Sequence, residues 1–193
     1  WFLLAYSIPE DVRHLRDRLR DRLAWLGFGS LGNGLWISPH DVEKEVQALA
    51  EQLGIEQHLE CFRAQRVGGH EPRELVDRCW DLMGVNARYV DFTERWQTEL
   101  ERCEAGVSSG DLVAEECFTL RFDLIHEFRA FPLEDPYLPR PLLPERWHGG
   151  SANELFHALH DVLEGPADQY VDEILSAAPS IPAAALTPVA EDG

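Results

Sequence analysis

The chain has 193 residues, of which 45% are hydrophobic and 27% charged, a composition typical of a globular protein long enough to bury a core. No run of about 18 apolar residues occurs, which excludes a membrane-spanning helix. The net charge is −18, and residues 67–193 carry most of it, with 9 Arg against 25 Asp and Glu. Because so acidic a surface repels phosphates, the second half is not expected to bind DNA or RNA.

Residues 1–67 have the pattern of a ferredoxin-like βαββαβ domain, in which two helices cover a four-stranded sheet. Both predicted helices have apolar residues at every third or fourth position. The sequence Gly32-Asn33-Gly34 is a strong hairpin signal between the second and third strands. Ser38 and Pro39 are expected to cap and begin the second helix. The predicted strands cover residues 1–8, 28–31, 35–38 and 58–67, and the helices follow Pro9 and Ser38.

Beyond Gly68-Gly69 only helices are predicted, so the fold class is α+β, with an all-helical C-terminal domain over residues 68–176. Five prolines in residues 132–147 are too many for a helix or a central strand and predict an extended connector. The Ala/Pro-rich tail, residues 177–193, is expected to be disordered. The predicted helices cover residues near 75–82, 85–103, 111–131 (the longest), 152–164 and 167–176.

Two features of the composition have plain explanations. The four cysteines form no CxxC pair, which predicts buried thiols in a reducing cytosol. The first helix carries five arginines, but interleaved acids leave it barely positive. An ion-paired surface or a subunit contact is therefore favoured over a nucleic-acid interface.

A possible metal site lies in the C-terminal helices. His157 and His160 are three residues apart on one helix, with Asp161 and Glu164 on nearby turns. Zinc and iron sites use such spacing, although the sequence identifies no second ligand helix. A metal-binding enzyme or metal sensor is therefore the alternative function.

A second cluster ends the helix that precedes the connector. Phe122, His126 and Arg129 share one face by their spacing, and Trp147 follows in the connector. One hypothesis is a polar anchor for an anionic small molecule beside an aromatic pocket. The other is that His126 and Arg129 bond carbonyls of the connector and stabilise the fold.

Two long stretches resemble the family of PaaX-type transcriptional repressors. AYSIPEDVRHLRDRLRDRLAWLGFGSLGNGLWISP (residues 5–39) resembles their central domain, and LIHEFRAFPLEDPYLPRPLLPERWHG (residues 124–149) resembles their C-terminal domain. The stretch GVNARYVDF (residues 84–92) also fits. The resemblance implies a cytoplasmic, homodimeric repressor of aromatic-acid catabolism of the phenylacetate type, with no catalytic activity and no cofactor. It also implies that an aryl-acyl-CoA such as phenylacetyl-CoA releases the repressor from its operator.

Members of this family bind operator DNA through an N-terminal winged helix, which this sequence does not contain. We therefore expect the DNA contact to be made by an absent N-terminal domain and not by this chain, and dimerisation to lie in residues 1–67. The central domain of the family is also similar to a small CRISPR-associated adaptation nuclease. That nuclease has a metal-binding Asp where this chain has Ser7, and a hydroxyl is a poor substitute for a carboxylate ligand, so nuclease activity is not expected.

A CoA effector carries phosphates, so the resemblance implies that the acidic chain gathers some of its few arginines to bind it. A purely structural dimer module without a ligand is the third possibility. The predicted effector-binding residues are Arg63, Arg66, Arg121, His126, Arg129 and Trp147.

Overall fold

A computed structural model describes residues 1–68 and 71–177. The first part contains four strands and two helices: β1 Phe2–Tyr6, α1 Arg13–Trp25, β2 Gly29–Gly32, β3 Leu35–Ser38, α2 Glu43–Leu53 and β4 Leu59–Arg63. The second part contains five helices: α3 Pro72–Cys79, α4 Leu82–Ser109, α5 Ala114–Phe128, α6 Phe131–Glu134 and α7 Gly149–Ala177. Short 3-10 turns occur at Glu10–Val12, Glu56–His58 and Arg140–Leu142. The predicted α+β class is confirmed.

The four strands form one antiparallel sheet in the order β2-β3-β1-β4. Alternate residues of β1 point to opposite faces, and Phe2 and Leu4 point towards α1 and α2. Leu19 and Leu23 of α1 are buried against them. This is the predicted ferredoxin-like arrangement.

The helical part is built around α7. Both α4 and α5 pack against it, and the shared core contains Phe92 and Trp96 from α4, Leu124 from α5 and Leu159 from α7. The buried residues of α4 recur at the spacing of one helix face, which is the face that packs on α7.

A third buried cluster joins the two parts, with Val76, Leu82, Leu138 and Leu143 packed against Trp1, Trp80, Leu142 and Trp147. The Trp80 indole N–H donates to the Gly27 carbonyl at 3.1 Å. Gly29 of β2 lies so close to α3 that a Cβ there would be 2.5 Å from the Cys79 Cβ. α3 and Trp80 therefore cover the outer face of the sheet at β2, whereas Phe62 of β4 on the same face is exposed.

Three predictions about the helices are wrong. α2 begins at Glu43, because the Ser38 hydroxyl accepts from the His40 N–H at 3.1 Å and closes a turn instead of capping the helix. α5 is not the longest helix, since α4 has 28 residues and α7 has 29. The two predicted C-terminal helices are one, α7, which continues through Pro166. Leu163 and Ala167 are buried on either side of Pro166, and this packing offsets the hydrogen bond that proline removes.

The cysteines are all free thiols, but they are not all buried as predicted. Cys103 and Cys117 lie in the helical core, whereas Cys61 is exposed on the edge strand β4. Burial raises the pKa of the Cys103 and Cys117 thiols. The predicted disordered tail falls almost entirely outside the described residues.

Candidate functional site

An aromatic cavity lies between α4, the connector and the start of α7. Its volume is about 400 Å³, within the range of small-molecule sites. Tyr89 stacks on Phe131 with ring centroids 4.2 Å apart, and Trp147 meets Tyr89 edge-on at 5.6 Å. The main wall residues are Tyr89, Phe128, Phe131, Tyr137, Leu138 and Trp147. We call this space the aromatic cavity.

A buried carboxylate orients the aromatic side chains of the cavity. The Tyr89 hydroxyl donates to Asp135 Oδ2 at 2.9 Å, and the Tyr137 backbone N–H donates to Asp135 Oδ1 at 2.8 Å. Tyr137 has a positive φ of 50°, which the second bond stabilises. Burial and the Asp135 carboxylate raise the pKa of the Tyr89 hydroxyl, so it remains a hydrogen-bond donor at neutral pH.

Asn86 fixes the chain segment that carries Trp147. Its side-chain amide donates to the Arg146 carbonyl at 2.9 Å and accepts from the His148 N–H at 2.8 Å. Gly149 then starts α7, and a Cβ at this position would be 2.6 Å from the Trp147 indole nitrogen. The indole can therefore lie flat against the helix start only because residue 149 is glycine.

A larger cleft of about 680 Å³ lies between α3 and the connector. Arg73 and Arg78 line it, but so do three carboxylates, those of Asp77, Asp81 and Glu145. Opposite charges in this cleft largely cancel, and it has no group of aromatic rings. The aromatic cavity is the better site for an aryl group, because stacking needs flat apolar walls.

The predicted effector-binding residues are not brought together. Trp147 lines the aromatic cavity. Arg63 lies on β4 and forms exposed ion pairs with Asp41 at 3.1 Å and with Glu43. Arg66 follows β4 in the first part of the chain.

Arg121, His126 and Arg129 lie on or just after α5. Arg121 faces α7, where it bonds Asp168 at 2.7 Å and His160 at 3.3 Å. His126 stacks on Phe122 on the opposite, exposed side of α5, and Arg129 is also exposed. Within residues 1–68 and 71–177, neither His126 nor Arg129 bonds a connector carbonyl. Their assignment to the effector site remains a prediction.

The predicted metal ligands lie on α7. His160 accepts a hydrogen bond from the Arg121 guanidinium, a cation that would repel a metal ion at the same nitrogen. Asp161 is 3.7 Å from the other ring nitrogen, and His157 packs edge-on against Phe156. Among the described residues, no three His, Cys, Asp or Glu side chains gather as a metal site.

Ser7 follows β1 at the rim of a polar hollow. Its backbone N–H donates to the His58 carbonyl at 2.9 Å, and Arg16 and Arg20 also line the hollow. No Asp or Glu among the described residues lines it. This hollow therefore lacks the carboxylate ligands that a divalent cation prefers.

Sequence reasoning missed Asn86, Tyr89 and Asp135 as the residues that organise the cavity. The hydroxyl partner of Tyr89 lies 46 residues away in the chain, so no local pattern links the two residues. The one available signal was the stretch at residues 84–92, which contains both Asn86 and Tyr89. No helix in the described part of the chain is long and apolar enough to cross a membrane.

Comparisons with known proteins match both parts of the chain. Two family models match: the PaaX protein central Cas2-like domain over residues 1–76, and the PaaX-like protein C-terminal domain over residues 80–173. The transcriptional repressor PaaX of Escherichia coli (strain K12) is 31% identical over 175 residues, which are 89% of this chain and 54% of that protein. The chain thus spans about half the length of this curated relative.

A solved structure with a similar fold comes from another bacterium. The uncharacterized protein Rv0674 from Mycobacterium tuberculosis is 24% identical and has a TM-score of 0.52, covering 88% of this chain and 62% of that one. At this identity the likeness concerns the fold alone. The two family models, in the same order as the two structural parts, carry the assignment. The chain belongs to the PaaX family of transcriptional repressors, of which it contains the central and C-terminal domains.

Proposed function

We propose that this chain is the effector-binding and dimerisation core of a cytoplasmic repressor of aromatic-acid catabolism, and that an aryl-acyl-CoA such as phenylacetyl-CoA is its effector. The chain is not an enzyme in this proposal. Operator DNA is bound by an N-terminal winged helix outside these residues, and the acidic second half stays away from DNA phosphates.

The observation that carries the effector assignment is the aromatic cavity beside Trp147. Tyr89 stacks on Phe131, and Trp147 meets Tyr89 edge-on. The three rings line a space of about 400 Å³. A phenyl group entering this space gains aromatic contacts on more than one side. A short acyl group such as acetyl would fill little of it, so the cavity favours an aryl acid over a small one.

The phosphates of the effector need cations at the rim of the cavity. Arg146 directly precedes Trp147, and Arg140 lies two residues after Leu138 of the wall. Neither arginine forms an ion pair with any residue that the structure describes. We assign the phosphates to these two residues, because a guanidinium with no carboxylate partner can offer its full charge to an anion.

Effector binding regulates the repressor by differential affinity. The cavity is built from the connector, and Tyr137 of the connector also reaches the first domain, where its carbonyl lies 2.9 Å from His40 Nε2. An effector that favours one connector conformation therefore favours one arrangement of the two domains. To move the repressor from mostly DNA-bound to mostly free, it must favour that arrangement by about 5 kcal/mol.

Thermal unfolding with a panel of CoA compounds tests the proposal. We expect phenylacetyl-CoA to raise the Tm progressively with concentration, and acetyl-CoA and free CoA to raise it much less. Equal shifts for all three compounds would point to a site that recognises CoA without the aryl group. If none of the three compounds raises the Tm, the effector assignment is contradicted, and a dimer module without this ligand is favoured.

A further inference from the structure

The outward side of α5 exposes a row of apolar side chains. Phe118, Phe122 and Ile125 lie on it with 40%, 62% and 41% of their surface exposed. The opposite face, with Cys117 and Leu124, is buried against the helical core. Three large apolar side chains exposed next to one another are typical of an interaction surface, because a partner that covers them removes a contiguous apolar area from water.

The charges on this face are arranged symmetrically. Glu115 lies seven residues before Phe122, and Arg129 lies seven residues after it. Phe118 and Ile125 occupy the positions between them, so the spacing is that of a coiled-coil seam. The acidic start and the basic end also match the helix dipole. We call these five residues the α5 face.

We propose that the α5 face pairs, in antiparallel orientation, with the α5 face of a second copy of this chain. A two-fold axis through Phe122 puts it against the partner's Phe122. The same axis brings Glu115 to the partner's Arg129, and Arg129 to the partner's Glu115. A two-fold interface must be complementary to itself, and this order of residues has that property.

The charge pattern favours a second copy over another partner. Glu115 and Arg129 are 14 residues apart, about 21 Å along a helix, so they cannot pair within one chain. Arg129 forms no ion pair with any described residue, and Glu115 lies near Tyr170 of α7. An antiparallel second copy brings an opposite charge to both ends of the face at once, in a protein whose net charge otherwise opposes self-association.

The apolar area also continues onto α7. Tyr170 packs against Phe118 with ring centroids 5.6 Å apart, and Ile174, one turn further, is half exposed. The α5 pair would therefore be flanked by the ends of both α7 helices, which enlarges the contact towards the size of a stable interface. This inference deepens the proposed function, on which it rests only for its meaning in regulation. It names the surface through which two copies assemble, and it places that surface in the helical domain instead of in residues 1–67, where the sequence analysis expected it.

Sedimentation velocity of the full chain over a range of micromolar concentrations tests the pairing. We expect a dimer for the wild type and a dissociation constant at least about 100-fold higher for Phe122→Glu, which loses two buried rings and puts like charges on the axis. Phe62→Glu is the matched control, because Phe62 is 53% exposed on the edge strand β4 of the first domain. It should leave the dimer intact. A monomeric wild type, or a dimer broken by Phe62→Glu but not by Phe122→Glu, overturns the proposal.

A charge exchange gives a second test that does not depend on the apolar contact. Glu115→Arg and Arg129→Glu should each weaken the dimer, and the double variant should restore it, because the partner residues then carry opposite charges again. A double variant weaker than either single one contradicts the antiparallel pairing. Calorimetric titration with phenylacetyl-CoA reports separately on the proposed function. Dimerisation with no effector binding, or the reverse, therefore identifies which of the two proposals fails.

Discussion

The close contact between β2 and α3 predicts that adding one methyl group at Gly29 strongly destabilises the fold. A Cβ added at Gly29 would lie 2.5 Å from the Cys79 Cβ and 2.6 and 2.8 Å from two atoms of the Trp80 ring. Ordinary carbon contacts are about 3.5–4.0 Å, so the Gly29→Ala side chain is about 1 Å too close on two sides. Trp80 cannot move away freely, because its indole N–H is bonded to the Gly27 carbonyl. We expect Gly29→Ala to lower the free energy of unfolding by about 2–3 kcal/mol.

Urea unfolding at 25 °C, followed by tryptophan fluorescence and by circular dichroism, measures this change. Gly150→Ala is the control, because a Cβ at residue 150 meets no atom within 4 Å and lies in the first turn of α7. It should change the free energy by less than about 1 kcal/mol, in the stabilising direction. A Gly29→Ala protein as stable as the wild type would mean that β2 and α3 are not in close contact.

Three further substitutions test the cavity and its surroundings. Asn86→Ala removes both hydrogen bonds that hold residues 146–148, so we expect the free energy of unfolding in urea to fall by about 1–2 kcal/mol and effector binding in calorimetry to weaken. Unchanged binding would show that the effector does not need Trp147 in this orientation. Tyr89→Phe leaves Asp135 with one donor fewer and should cost about 1–3 kcal/mol. Because the folded protein raises the pKa of Tyr89, its contribution to stability is present below about pH 10 and is lost as the pH rises further. The stability of Tyr89→Phe should not show that decline above about pH 10. An equal decline in the wild type and the variant would contradict the role given to the Tyr89 hydroxyl. Arg63→Ala should alter the free energy of unfolding by less than about 1 kcal/mol, because the ion pairs of Arg63 are exposed. It should alter effector affinity by less than about twofold, because two carboxylates already neutralise the guanidinium. A larger loss of affinity would place Arg63 in the effector site.

Local sequence patterns were sufficient for the first strand and the hairpin of the first domain. The turn at Gly32-Asn33-Gly34 and the alternation of β1 specify a hairpin and a strand with one buried face, and both depend on residues close in the chain. The start of α2 could not be predicted in the same way, because a serine hydroxyl can accept either from the first turn of a helix or from the N–H two residues later in a turn, and Ser38 does the second. Pro166 was misread as a helix end for a related reason, since packing on both sides of it offsets its local cost.

The candidate site was predictable only in part. Trp147 was identified because it follows the cluster of Phe122, His126 and Arg129 in the connector. Its neighbours Tyr89 and Asp135 come from separate elements, and their hydrogen bond depends on how α4 meets the connector. The arginines remain predicted ligands, but their surroundings could not be predicted from the sequence. Each was available in the sequence, but Arg63 and Arg121 are paired with carboxylates that only the fold brings near them.

Calorimetric titration of phenylacetyl-CoA into the wild type and three variants tests the central claim most directly. We expect saturable binding to the wild type and at least about tenfold weaker binding to Trp147→Ala, since a lost aromatic contact costs about 1.4 kcal/mol or more. Asn153→Trp, which adds bulk beside the cavity without removing a wall, should weaken binding similarly, and Trp25→Ala, at an exposed tryptophan of α1, should not. Wild-type binding that neither cavity variant weakens, or no binding at all, would contradict the assignment of the effector to the aromatic cavity.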